Sequence, residues 1–472
     1  MQGLISIVSS ARHLPGIGRN VPFPPLCCLM VLLLISACAT PVKTKPSPPV
    51  DPPAAWKAVP YKHDPVQTGW LSQFKSEDLE KIVVEAMNRN LDLQIAAARL
   101  ESARAGVRGA ASALYPKADA GASQGRSQTF DPNRGTDSYG LTMNISWEID
   151  LWGRLRAGKG AAMAVAESSR FNLEASRLSL AAQTAKAWFA AIEAQEQVRI
   201  ASENLDISRR TTLLVDARYK GGAVSAFDFK LTSAQEKQSE EALVQRRQNF
   251  EEAKRTLELV LARYPAASIE VRKALPSMPA EIPVGLPSDL LMRRPDLLSA
   301  EWQLFASENR VFSARAERLP KLALTGSGGT SSNELEKLLD ERALVASIVG
   351  NLTQPVFRAG EIQSRIEQQE AAQKEAAAEY AKLVLTAFSE VENSLAREAF
   401  LKQREALQAE ALTQFEEAFL LARERYKAGQ IDIIALLDTQ RSSLNARSLL
   451  LATQRARLDN RADLMLALGG GF

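Results

Sequence analysis

The stretch Ser138–Gly153 (SYGLTMNISWEIDLWG) restricts the fold more than any other part of the chain. Leu141, Met143, Ile145, Trp147, Ile149 and Leu151 are apolar, while Gly140, Thr142, Asn144, Ser146, Glu148 and Asp150 between them are small, polar or charged. A period of two places the two sets on opposite faces of a β-strand, one apolar and one wet. The run is about a dozen residues long, and a tilted strand crosses a bilayer with roughly 9–11. It ends at Trp152, an aromatic of the kind that settles at a membrane–water boundary. A half-buried strand of an ordinary sheet shows the same alternation, so the rest of the chain has to decide between the two.

The N-terminus reads as an export signal. Arg12, His13 and Arg19 precede an apolar core, Leu29–Ile35, which is followed by Ser36-Ala37-Cys38-Ala39. A small residue before cysteine after an apolar run resembles the lipobox of bacterial lipoproteins, in which cleavage leaves Cys38 as a lipid-bearing N-terminus. The alternative is an ordinary signal peptide cut at an A-x-A-like site. Cys27 and Cys28 fall in the removed segment, so the mature chain would keep one cysteine, and a structural intrachain disulfide is excluded. From Pro41 to Pro60 the chain is proline-rich and should form an extended tether. No later stretch approaches eighteen consecutive apolar residues, so no transmembrane helix is predicted.

Composition narrows the chemistry. The net charge of +3 leaves no nucleic-acid footprint. Two histidines and three cysteines remove most metal-site and Cys/His-nucleophile readings. There is no P-loop, no GxGxxG after a strand and no GxSxG. Neither a cofactor nor an enzymatic activity is expected.

The chain also repeats itself. Asp92–Lys117 and Asp296–Lys321, offset by 204 residues (296 − 92), share eight of 26 positions, where chance gives about two. Arg218-Tyr219-Lys220 with Gly222 matches Arg425-Tyr426-Lys427 with Gly429 at an offset of 207 (425 − 218). Two nearly equal offsets mean one structural unit used twice. The unit reads helix, strand, strand, long helix, turn, long helix. In the first copy a helix over 91–114 stops before Tyr115-Pro116. Lys117–Gln128 alternates small and polar residues, and Thr129–Asp137 carries the turn chemistry of Asp131-Pro132-Asn133 and Gly135. In the second copy the strands are expected at Lys321–Thr330 and Ala343–Phe357, with Pro355 tolerable only at a strand end or edge.

Four strands cannot close a membrane barrel, and an open edge cannot face lipid. Several chains must therefore share one barrel: two would give eight strands and a plugged interior, three would give twelve and a pore. The segment from Arg154 to Asp216 lacks proline and carries two apolar seams, Leu180, Ala187, Ala191, Ala194, Val198, Ala201 and Leu205 on one, Ala181, Ala185, Trp188 and Ile192 on the other. In the last helix Leu437, Leu444, Leu451, Leu458 and Met465 recur every seven residues. Two seams predict a neighbour on each side, as in a wall of helices. Each hairpin turns at a matched motif, RYKGGAVS and RYKAGQID. Gly222 and Gly429 suit a left-handed helix cap, and a turn duplicated at the far end of a long hairpin suits a docking tip.

These features resemble the outer-membrane factor family, the TolC-like export channels, and within it the lipoprotein branch serving resistance-nodulation-division pumps. Three motifs carry the resemblance: Gly285–Asp296 (GLPSDLLMRRPD) between the halves, Leu352–Gly360 (LTQPVFRAG) at the end of the fourth strand, and Leu468–Phe472 (LGGGF) at the C-terminus. It covers roughly Trp70 to Phe472. It implies a mainly α-helical homotrimer with a shared twelve-stranded β-barrel in the outer membrane, a long α-helical barrel in the periplasm and an equatorial belt. It implies no catalytic site and no cofactor. The expected partners are a periplasmic adaptor, an inner-membrane pump of the resistance-nodulation-division type, and outer-membrane lipid at Cys38. By position, Asp438 matches a gate carboxylate and Ile434 a gate hydrophobe, with Ala435 where some members carry a second aspartate. Arg218, Tyr219, Gly222, Arg425, Tyr426 and Gly429 become the adaptor-docking tips. The resulting division is a signal peptide over 1–37, a tether over 38–69, a first repeat over 70–264, an equatorial linker over 265–295 and a second repeat over 296–472. The competing reading is a periplasmic coiled-coil adaptor or scaffold lipoprotein, which has no reason to display the Leu141–Leu151 alternation.

Overall fold

A computed structural model describes residues 52–53, 56–57, 69–130, 133–271, 274–279, 285, 287–340 and 344–470. The signal peptide, Cys38, nearly all of the tether and Phe472 lie outside the described residues. A short 3₁₀ helix, Trp70–Phe74, and helix α1, Glu77–Arg89, lead into the first repeat: α2 (Leu91–Ser112), β1 (Lys117–Phe130), β2 (Asn133–Ile149), α3 (Arg154–Lys220) and α4 (Ala226–Val260). After a linker carrying α5 (Pro287–Arg293), the second repeat runs α6 (Pro295–Ala316), β3 (Lys321–Ser332), β4 (Leu344–Thr353), α7 (Glu361–Lys427) and α8 (Ile433–Ala467). Matched helices have equal lengths: 22 residues in α2 and α6, 67 in α3 and α7, 35 in α4 and α8. At 1.5 Å per residue the 67-residue helices are about 100 Å long. Among the described residues no helix is long and apolar enough to cross a membrane.

The strands form one antiparallel sheet in the order β1-β2-β3-β4. Two sequence expectations need correction. The expected loop Thr129–Asp137 is mostly strand: Gln128 pairs with Gly135 and Arg126 with Asp137, so β1 and β2 make a longer hairpin than the turn residues suggest. Cross-strand pairing of the flanking polar residues overrides the loop composition. The fourth strand ends at Thr353 and not at Phe357, so Pro355 lies beyond the sheet, where its missing N–H costs nothing. Asp150, the last charge of the alternating run, leaves the strand and accepts from the backbone of Leu155 and Arg156 (3.1 and 2.9 Å), capping the start of α3.

The long helices lie side by side in the order α4, α3, α8, α7. The seam Val198–Ala201–Leu205 packs on Leu243 of α4. Ala181, Ala185, Trp188 and Ile192 join the main core, which also takes in Trp70 and Phe74 of the 3₁₀ helix, Leu79 and Val83 of α1 and Leu458 and Met465 of α8. The rings of Phe74 and Phe189 sit 5.4 Å apart. Each such side chain contributes about 1.5–3 kcal/mol through burial, so this level of the wall is where the N-terminal elements are fixed.

The repeat is visible at two joints. The Asn90 amide donates to the carbonyl of Val260, the last residue of α4, at 3.1 Å, and its oxygen caps α2 through Asp92 and Leu93. At the position offset by 204 (294 − 90), Arg294 donates to the carbonyl of Ala467, the last residue of α8, at 3.2 Å. In each half the first helix thus begins where the last one ends.

Candidate functional site

The register assigns a face to every strand residue. Ala118, Ile145, Gly326 and Ile348 stand in one row, as do Ala120, Met143, Gly328 and Ala346, and Ile149, Leu322 and Leu352. The other face carries Asp119, Asn144, Ser327 and Ser347 in a row, then Gly121, Thr142, Gly329 and Val345. The Ser327 and Ser347 hydroxyls meet at 2.7 Å, placing both on the polar side. Among the described residues no element covers the apolar side: Met143 is 54 % exposed, Ile145 44 % and Ile348 81 %. A contiguous uncovered apolar face of this kind is a contact surface for lipid or another chain. The outer edges of β1 and β4 are unpaired among the described residues. Towards the helical end of the apolar side the Trp147 indole N–H donates to the Leu114 carbonyl at 3.0 Å, and the Trp152 indole donates to the Pro320 carbonyl at 2.7 Å.

At the opposite end of the molecule the two hairpins turn alike. Gly222 and Gly429 have φ of +73° and +74°, a region that proline cannot enter and that costs other residues strain. Ala223 donates to the Arg218 carbonyl at 2.8 Å and Gln430 to that of Arg425 at 2.9 Å, the same closing bond in both. Ser225 then caps α4 in a capping box with Asp228, and Asp432 caps α8 through Ala435 at 2.8 Å. The tips are tied together. The Arg218 guanidinium donates to the carbonyls of Tyr426 (2.9 Å) and Lys427 (2.5 Å) and lies 4.9 Å from the centre of the Tyr426 ring. Tyr426 is buried in an apolar cluster with Val215, Ala422, Ile433 and Leu436. Tyr219 stacks on Phe229 at 5.6 Å and stays exposed, as does Arg425. The six motif residues therefore divide. Arg218 and Tyr426 bind one tip to the other, while Tyr219, Gly222, Arg425 and Gly429 form the outer surface.

Ile434 and Asp438 lie one turn apart on an exposed face of α8. Asp438 accepts from Arg441 at 2.5 Å, an i,i+3 pair on one face of the helix. Two residues on, Gln440 turns the other way. Its amide donates to Asn204 (2.9 Å) and Ser208 (3.1 Å) of α3, and Asn204 donates to Ser239 of α4 at 3.1 Å. This buried knot holds three helices together directly behind the exposed Ile434–Asp438 face, and no local pattern announces it.

Two further groups escaped sequence reading. Arg294, in the motif between the halves, is buried; it donates to Asp296, Glu390 and Ala467, and a Cβ on Gly469 would lie 3.0 Å from its Cα. The indole of Trp56 donates to the Gly285 carbonyl in the same motif at 3.1 Å. The motif is thus the point where tether, α6, α7 and the C-terminal glycines meet. Glu258 is fully buried and accepts from the backbone of Ala267 (2.6 Å), Ser268 (2.6 Å) and Ile269 (3.0 Å), fixing the turn that leads from α4 into the linker. Burial pushes its carboxyl up, but the three backbone N–H groups outweigh burial and hold it below the usual range. Among the described residues no group of His, Cys, Asp and Glu could hold a metal ion.

Comparison with known proteins matches residues 82–263 and 286–470 to the family model "Outer membrane efflux protein". The pyoverdine export outer membrane protein OpmQ of Pseudomonas putida is 30% identical over 472 residues, covering 95% of this chain and 97% of its own. The probable outer membrane lipoprotein SilC of Salmonella typhimurium is 27% identical, covering 86% of this chain and 88% of its own. Among solved structures, the outer-membrane channel OprN superposes with a TM-score of 0.85 at 25% identity, covering 92% of this chain and 99% of its own.

Proposed function

The chain belongs to the outer membrane efflux protein family, and we propose that it is the exit duct of a tripartite efflux system: a homotrimer in the outer membrane that passes small molecules outward from an inner-membrane resistance-nodulation-division pump and its periplasmic adaptor. The observation that carries this reading is the sheet. It has one polar face, one uncovered apolar face and two unpaired edges among the described residues, a combination that closure of several copies into one barrel within lipid satisfies at once. Three copies give twelve strands and an open pore. The helical wall is open in the same sense, with α4 and α7 at its margins and apolar side chains such as Val244 on α4 and Phe400 and Leu407 on α7 exposed. A coiled-coil scaffold would need none of this.

In this reading Cys38 carries the lipid anchor, in keeping with the description of SilC as a probable lipoprotein. Tyr219, Gly222, Arg425 and Gly429 dock the adaptor, Arg218 and Tyr426 keep the paired tips in register, and Ile434 with Asp438 forms the periplasmic constriction. Edge-to-edge closure is tested by cysteine pairs, one on β1 (Ala118, Ala120 or Ala122) and one on β4 (Ala346 or Ile348). The expected product of oxidation is a covalent species of three chains on a denaturing gel. A series that stops at two chains, or yields no cross-link at any pairing, contradicts the shared barrel.

A further inference from the structure

The seam between α3 and α8 joins the first half of the chain to the second; Arg447 pairs with Glu203 across it at 3.0 Å, and nearer the end of α8 five further charged side chains meet. Lys186 reaches Asp463 at 2.8 Å and Arg455 reaches Glu193 at 3.1 Å. The fifth is Asp459. One of its oxygens lies 3.2 Å from Arg455 Nε, without the alignment of a hydrogen bond, and the other is buried with no partner among the described residues. Two cations therefore face three carboxylates. α3 presents Lys186 and Glu193 to Asp459, and α8 itself presents Arg455 and Asp463. On α7, Glu398 is engaged elsewhere, by Arg457 at 2.9 Å and Arg461 at 3.2 Å.

We propose that Asp459 is a proton-binding site of the α3–α8 seam: protonated, it leaves two balanced ion pairs; ionised, it is a surplus buried charge, so mild acidification tightens the junction between the two halves of the chain. Burial pushes the Asp459 carboxyl up, Arg455 and Lys186 draw it down, Asp463 and Glu193 push it up again, and it settles at about 6. In an opened, hydrated seam the same group would return to about 3.9. The closed seam thus binds the proton more tightly than the open one. The stabilisation is complete below the open-state value and is lost as pH rises through about 6. Between pH 7 and pH 5 that difference shifts seam opening by about tenfold.

α8 also carries Ile434 and Asp438, so a tighter seam would resist the movement of that helix against α3. This consequence rests on the proposed channel; the proton linkage does not. The test is amide hydrogen exchange of the assembled protein in detergent at pH 5, 6 and 7, with intrinsic rates divided out, read over residues 186–193 and 455–463. Protection should rise about tenfold from pH 7 to pH 5. Asp459→Asn should abolish the pH response, and Asp459→Glu should retain it. A wild-type profile that is flat or falls towards pH 5, or an Asp459→Asn profile that still responds, overturns the proposal. A responsive seam with a channel open probability indifferent to pH supports the proton site and counts against the gate reading alone.

Discussion

Glu258 shows what a single residue contributes through partners that only the folded chain supplies. Replacing it by Ala leaves three N–H groups without their acceptor, at roughly 1–3 kcal/mol for each that water cannot reach. The variant should melt several degrees lower and expose the linker to protease. Because the carboxyl is held below its usual range in the fold, the wild-type advantage is complete above the unfolded value of about 4.3 and fades as pH falls towards the folded one. Thermal melts of both proteins at pH 7 and below pH 4 should therefore converge at the acid end; a gap of constant size would contradict the capping role. Cys38 stands at the other extreme, its proposed lipid resting on the neighbouring residues alone. Cys38→Ser should lose palmitate label, and label surviving on the variant would remove the lipid anchor. Sequence reading found residues whose partners are close along the chain, such as Asp438 with Arg441. It missed Asn90, Arg294 and Gln440, whose partners lie across the fold, and Glu258, whose partners come nine to eleven residues later, past the end of its helix. Only Asn90 and Arg294 left a trace: they extend the 204-residue match by two positions without being the same amino acid, so identity alone could not reveal them.

At the scale of elements, the strand β2 was legible because its apolar and polar sets alternate cleanly. β4 was not, because Val345 and Val349 stand on the polar side opposite Gly329 and Thr325, where small partners leave them room. The faces make a direct prediction. Lys at Ile145, in the middle of the apolar side, costs roughly 2–4 kcal/mol per chain in a bilayer, three times over in a trimer, whereas Lys at Asn144 on the polar side is mild. Heating before gel electrophoresis should dissociate Ile145→Lys at a clearly lower temperature than Asn144→Lys; equal stability would reverse the assignment of faces. Trp147, tied to Leu114, stands one row nearer the helical end of the apolar side than Ile145, so a charge there should cost less than at Ile145. The duplicated turns were also legible, since glycine at a left-handed helix end has a recognisable sequence. Gly222→Pro and Gly429→Pro should leave the trimer intact and abolish efflux through the loss of adaptor docking. Normal drug resistance in both would move the docking site off the tips.

For the whole molecule, the two offsets and the count of four strands led to shared closure, because an open barrel edge has no stable place in lipid. The relation of the halves to each other was hidden, since it depends on the Arg218 tie, the Gln440 knot and the charged α3–α8 seam. All three act on α8 or on its tip, and α8 presents Ile434 and Asp438. In a trimer three copies of Asp438 would gather around one axis, and their mutual repulsion is moderated by Arg441 within each chain. The most direct test of the duct is the single-channel current of the purified protein in planar bilayers, compared with that of the double variant Ile434→Ala, Asp438→Ala. Discrete current steps in the wild type, larger steps in the variant and relief of block by multivalent cations are the predicted result; bilayers that stay silent with both proteins, or steps and block unchanged by the double substitution, would contradict a duct constricted at these residues.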